Sequence, residues 1–141
     1  MPITDHTASL RSITDDQLTT TNAAEDVRGR TVLDNAGEDI GKVDDLLVDD
    51  REHKVRFLRV ATGGILGLGE TKFLIPVDAI TKVDHDSVHV NRTRDHVHRG
   101  PRYDPALMKE PHLNDIYGHY GYGPWWGYGY TYPMYPYGPS Y

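Results

Sequence analysis

The 141 residues suffice for one domain with tails and fall short of two ordinary domains. Fifteen Lys and Arg against 21 Asp and Glu leave a net charge of -6, which argues against general nucleic-acid binding. With no cysteine, disulfides, thiolate catalysis, Cys-zinc sites and iron–sulfur clusters are excluded.

Residues 1–24 are rich in Thr, Ser and Asp, with isolated apolar residues at Ile3, Leu10, Ile13 and Leu18. Such a stretch buries too little to offset its ordering entropy and reads as a disordered, flexible N-terminal arm. The start, Met1 to Asp5, lacks the basic-then-apolar pattern of a signal peptide, and the longest aliphatic run, Phe73–Val77, is far too short to span a bilayer. A cytoplasmic location is therefore expected. From residue 25 to 92 the apolar period is two. Thr31–Leu33 is a short strand, followed by the turn Asp34–Gly37, in which Gly37 takes a positive φ. In the long strand Ile40–Asp49 the apolar residues change parity between Val43 and Leu46, which predicts a bulge at Asp44–Asp45. The charged tip Asp50–His53 reverses the chain into Val55–Thr62. The glycine-rich Gly63–Gly69 leads to Thr71–Val77, where Pro76 belongs at a strand end or on an edge. Asp78–Ile80 is at most a turn of helix, and the strands Thr81–Val83 and Ser87–Asn91 flank a tight turn. Five to six short strands without a long helix predict an all-β fold, a small β-barrel over residues 25–92.

Residues 93–116 read as an extended basic connector carrying Arg94, His96, His98, Arg99 and Arg102, with short helical turns near Pro105–Met108 and Leu113–Tyr117. Residues 117–141 form a Tyr/Gly/Pro-rich low-complexity tail. It holds nine of the ten tyrosines and both tryptophans, and has no Lys, Arg, Asp or Glu.

The middle zone resembles the PRC-barrel domain, the small barrel of the photosynthetic reaction-centre H subunit and of the ribosome maturation factor RimM. The residues carrying the resemblance are Val27-Arg28-Gly29-Arg30-Thr31-Val32, Gly41 through Asp49, Val55 through Val60, Gly63 through Gly69, and Phe73-Leu74-Ile75-Pro76-Val77 with Ile80. Five pieces in order cover about half of the chain. There is no transmembrane helix before the barrel and no second N-terminal domain of the RimM kind. The resemblance therefore implies the free-standing class, which has no shared catalytic activity and no catalytic positions to carry over.

Other constellations each have a plainer reading. Gly63–Gly69 lacks the following Lys-Ser/Thr and helix of a phosphate loop, and reads as a connection that needs glycine dihedrals. His96 and His98 alternate on the extended connector and so point the same way, with His89 near in sequence. Together they are the candidate ligands for zinc, copper or nickel, against a polar face that titrates near neutral pH. Asp44–Asp45 and Asp49–Asp50, with Glu52, lack calcium-loop spacing and read as a solvated strand end. Ser87, His85 and Asp86 share one tight turn and cannot line up as a triad. No catalytic residue and no cofactor is assigned.

One strand decides the expected assembly. Leu58 and Val60 share one face, Val55 and Phe57 the other, whereas an isolated small barrel buries only one face. A second copy or the chain's own C-terminal segment must cover the other row. A homodimer is expected, with Leu107, Met108, Leu113 and Ile116 as supplementary packing. The interaction residues are then Val55, Phe57, Leu58 and Val60, with Ile65, Leu66 and Leu68 in the glycine-rich loop. In the tail they are Trp125, Trp126, Tyr132, Pro133, Tyr135 and Pro136. Extended, the tail aligns Tyr128, Tyr130 and Tyr132, while Pro133, Pro136 and Pro139 make a polyproline ridge flanked by Tyr132 and Tyr135; its plainer reading is a disordered, self-adhering terminus. The expected function is a non-enzymatic module mediating protein–protein contact and self-association, with an unknown protein partner. Its rivals are a ribosome- or RNA-associated factor of RimM type, using Arg92, Arg94, Arg99 and Arg102, and a histidine-based metal-binding protein.

Overall fold

A computed structural model describes residues 10–20, 22–63 and 70–136. Seven strands form one sheet: β1 (Leu10–Ser12), β2 (Thr31–Leu33), β3 (Asp39–Asp49), β4 (Lys54–Thr62), β5 (Thr71–Pro76), β6 (Ile80–Val83) and β7 (Ser87–Val90). The order is β5-β4-β3-β2-β7-β6, with β1 paired to β3. β3 organises the sheet. β4 runs along one of its edges, while the other edge is shared by β2 at the start and β1 at the end. All pairs are antiparallel except β2 with β7.

The expected bulge is present: Val43 faces Val60 and Asp45 faces Arg59, which leaves Asp44 as the extra residue. A second irregularity lies on β4. Leu47 faces Phe57 and Val48 faces Val55, so Arg56 is the unpaired residue. Because Leu47 and Val48 are successive, their partners stand on opposite faces. Val55 and Phe57 therefore do not share a row, contrary to simple alternation. Pro76 ends β5, an edge strand, where its missing N–H costs no ladder bond.

Two features of the barrel expectation are corrected. The sheet does not close, since β5 and β6 are its two ends. The free edge of β5 is used by the following segment, with Arg102 bridging Phe73 and Tyr103 N–H donating to Lys72 O at 2.7 Å. The fold is also mostly β rather than all-β. Residues 94–98 are not extended but form helix α1 (Arg94–His98), and Glu110–Tyr120 forms helix α2. Thr93 caps α1 by accepting from His96 N–H at 3.1 Å. On α2, Leu113, Ile116, Tyr117 and Tyr120 are buried at i, i+3, i+4 and i+7, one apolar stripe. Gly121, at φ 81°, ends this helix in the left-handed conformation that a side chain resists.

The N-terminal arm is ordered where it is described. Leu10–Ser12 pairs with β3 and Ile13 is buried. Asp45 ties it down: it accepts from Thr14 N–H at 2.9 Å and from the Ser12 hydroxyl. Asp45 and Asp49 are buried, and Asp44 pairs with Arg59 and Lys72 at 2.8 Å each, so of the strand-end carboxylates only Asp50 and Glu52 are solvated. The tail is likewise packed through Pro136, with Trp125 and Tyr135 in the same apolar cluster as the sheet. Residues 1–9 and 137–141, including Pro139, lie outside the described residues.

Candidate functional site

The site is the outer face of β4 and the strap that crosses it, residues 121–136. Val55, Phe57, Leu58 and Val60 are at most 1% exposed within one chain. The cover on Phe57 is intramolecular: Tyr117 of α2 lies 5.1 Å from its ring and Trp125 of the strap 6.4 Å. Of the two covers open to the sequence, the chain supplies its own, and no bare apolar row on β4 is left to require a second copy. Ile65, Leu66 and Leu68 lie outside the described residues.

Arg56 sits at the centre. As the bulge residue it leaves the ladder, and its guanidinium, 2% exposed, pairs with Asp49 and with Glu52 at 3.0 Å each. The strap closes over it. Trp125, Tyr132 and Tyr130 lie 5.2, 5.5 and 6.0 Å from the guanidinium carbon. Aromatic faces attract a cation more strongly once water is displaced, so the strap's rings hold it to the buried guanidinium without any charge of its own. Among the described residues, Arg56 Nε has no hydrogen-bond partner.

Phenol hydroxyls fasten the strap. Tyr130 donates to Asp78 Oδ2 at 2.8 Å, Tyr132 donates to Val55 O at 2.9 Å, and Tyr135 donates to Glu25 O. Burial raises the pKa of all three phenols above the usual tyrosine value, and raises that of Tyr117 and Tyr120 also. All five remain protonated at any physiological pH, and Tyr130, Tyr132 and Tyr135 therefore keep their donor hydrogens. Burial likewise raises Asp78 above the ordinary aspartate value, against the opposing effects of the Tyr130 hydroxyl and Arg56. At the start of the strap, the Tyr122 ring lies under Arg92 at 5.2 Å, while Arg92 also donates to Tyr120 O.

Tail residues aligned by sequence separate in space. Tyr128 is fully exposed, whereas Tyr130 and Tyr132 are half-buried against the sheet. The chain turns at Tyr135–Pro136 and buries Pro136, so Pro133 and Pro136 do not share a polyproline ridge. Trp126 packs edge-on to Trp125 at 4.7 Å. Among the described residues, the exposed large apolar side chains are Leu107, Tyr128 and Met134, all in the C-terminal third. A cleft of about 380 Å³ opens beside Tyr128, between Asp78, Tyr122 and Tyr130.

The three candidate histidines, His89, His96 and His98, do not converge. His89 Nε2 is 2.9 Å from Asp84, whose pKa that contact lowers. His98 stacks on Phe73 at 5.7 Å. His96 stacks on His119 at 4.1 Å, and each Nε2 donates to the other's backbone carbonyl, at 2.8 and 2.6 Å. A helix in place of an extended connector sends His96 and His98 to different neighbours. Among the described residues no His, Asp or Glu group is arranged to hold a metal ion. Ser87 does meet a histidine and an aspartate, but they are His89 and Asp84. Both Ser87 Oγ (3.4 Å) and Asp84 (2.9 Å) approach the same Nε2, so no relay through the ring exists. Of the basic residues, Arg92 is spent on the strap, and Arg94, Arg99 and Arg102 are exposed.

Sequence reasoning missed Arg56 and Tyr117, and read Asp49, the buried partner of Arg56, as part of a solvated strand end. The stripe Leu113–Ile116–Tyr117–Tyr120 was a readable signal; the Arg56 bulge was not, because Arg in a strand ordinarily faces water. A family model for the PRC-barrel domain matches residues 20–97. No curated protein sequence matches the chain significantly.

Proposed function

This chain belongs to the PRC-barrel family, and from that premise we propose that it is a non-enzymatic module that mediates protein–protein contact through its C-terminal third. PRC-barrels are generally non-catalytic modules. The observation that carries the proposal is the placement of the exposed apolar side chains: Tyr128 and Met134 stand on the strap, and Leu107 on the segment leading to α2. Aromatic residues and methionine are enriched where proteins meet, and an exposed Tyr rimming a cleft is a suitable anchor. The sheet beneath supplies rigidity, and the strap supplies the surface. No helix among the described residues is long and apolar enough to cross a membrane.

The test is affinity capture from native lysate with wild-type chain and with the double variant Tyr128→Ala/Met134→Ala. Both residues are solvent-facing, so the melting temperature should hold while retained partner drops about tenfold, the loss of one interface anchor. Equal retention by the two proteins would refute this surface.

A further inference from the structure

We propose that the outer face of β4 accepts the strap in trans: Pro124–Pro136 of one copy lifts off at Gly121–Gly123 and lies over β4 of a second copy, which returns its own strap. This goes beyond the protein-contact reading above: it uses the buried face of the same strap, and its partner is another molecule of the same chain.

The strap behaves as a ligand held in cis. Among the described residues, the backbone–backbone hydrogen bonds of 124–136 stay inside the segment: Gly127 N–H to Pro124 O at 3.0 Å and Tyr130 N–H to Gly127 O at 3.3 Å. No strand pairing welds it to the sheet. It is held by side chains entering a preformed receptor, with Trp125 on Phe57 and Arg56, and phenols on Asp78, Val55 O and Glu25 O. Few anchors in pockets with main-chain acceptors between them is how short peptides dock on folded domains. The receptor is built without the strap's help: Arg56 is aimed by the β4 bulge and paired with Asp49 and Glu52, and Phe57 is backed by Tyr117 of α2.

Exchange conserves every one of these contacts, because both copies carry the same strap and the same receptor. Residues 117–141 contain no Lys, Arg, Asp or Glu, so no charge repels a second strap. Opening at the hinge has to release one residue: Gly121 ends α2, and between Gly121 and Gly123 stands Tyr122, fastened by its N–H on Tyr117 O, its ring on Arg92 and its hydroxyl with Asn91. What opposes exchange is the effective concentration of the tethered strap, of millimolar order for a short linker. The full chain is then monomeric when dilute, and removing slack from the hinge favours the reciprocal dimer.

The assay uses a fluorescent peptide of residues 121–141, added to the intact chain and followed by anisotropy. Binding should saturate, and its rate should become independent of peptide concentration once strap opening limits it. A peptide carrying Trp125→Ala and Tyr132→Ala should bind at least about a hundredfold more weakly, the loss of two anchors. Deleting Tyr122 and Gly123 from the full chain should give twice the chain mass by light scattering, with a dimer that excess wild-type peptide dissociates. No peptide binding, equal binding of the substituted peptide, or a dimer indifferent to excess peptide would each overturn strap exchange. The contact reading fails separately, since it depends on Tyr128 and Met134, which the peptide assay does not test.

Discussion

Replacing Trp125 with Ala tests whether the strap is part of the fold or an appendage. The indole is 8% exposed and touches Phe57, Tyr117, Trp126 and the Arg56 guanidinium. A buried Trp hides about 200 Å², worth about 5 kcal/mol at about 25 cal/mol per Å². The denatured chain already hides part of that surface, so the expected loss is about 3–5 kcal/mol, in line with other buried Trp→Ala changes. At about 3 °C per kcal/mol for a chain of this size, the melting temperature should fall by about 10–15 °C. Urea and thermal denaturation followed by far-ultraviolet circular dichroism measure the two losses, since the signal then comes from the backbone rather than from the fluorescence of the substituted ring. Tyr128→Ala is the control: Tyr128 lies two residues from the half-buried Tyr130 ring, yet it is itself fully exposed and should change stability by less than about 0.5 kcal/mol. A Trp125→Ala loss below about 1 kcal/mol would mean that the strap does not seal β4, and the account of Phe57 would be wrong.

Arg56→Met strips the buried Asp49 of its guanidinium and should cost about 3–5 kcal/mol, part of which returns when Asp49→Leu is added; a double-mutant cycle by denaturant melts reads the coupling. Gly100→Ala places a methyl 2.7 Å from the His119 ring, which cannot retreat without breaking its reciprocal bonds with His96. The expected cost is about 1–3 kcal/mol by thermal melting, and it should shrink in a His119→Ala background. Asp78 has its pKa raised by burial, so the penalty for its charge is present above its folded-state pKa and absent below the ordinary aspartate value. Asp78→Asn, which keeps an acceptor for Tyr130, should be the more stable protein at pH 7. That advantage should vanish in melts at pH values below the ordinary aspartate range; an advantage that grows on acidification would reverse the assignment.

What the sequence by itself determined is the local pattern. Thr31–Leu33 emerges with the bounds expected of it, the long third strand carries its bulge at Asp44, and Pro76 closes an edge strand, because alternation and turn chemistry are written in neighbouring residues. The same locality explains the misses. Arg94–His98 buries only Val97, too little to print a helical period against a basic, His-rich composition. Ile13 alone could not announce that an arm poor in apolar residues would be held by Asp45, more than thirty residues away. Above all, periodicity showed that β4 has apolar side chains on both faces, but not what lies on them. A charge-free aromatic segment can cover its own sheet or a neighbour's, and its composition reads the same either way. Only the tertiary structure decides, by turning Arg56 out of the ladder at a bulge and setting Phe57 within reach of Tyr117 and Trp125.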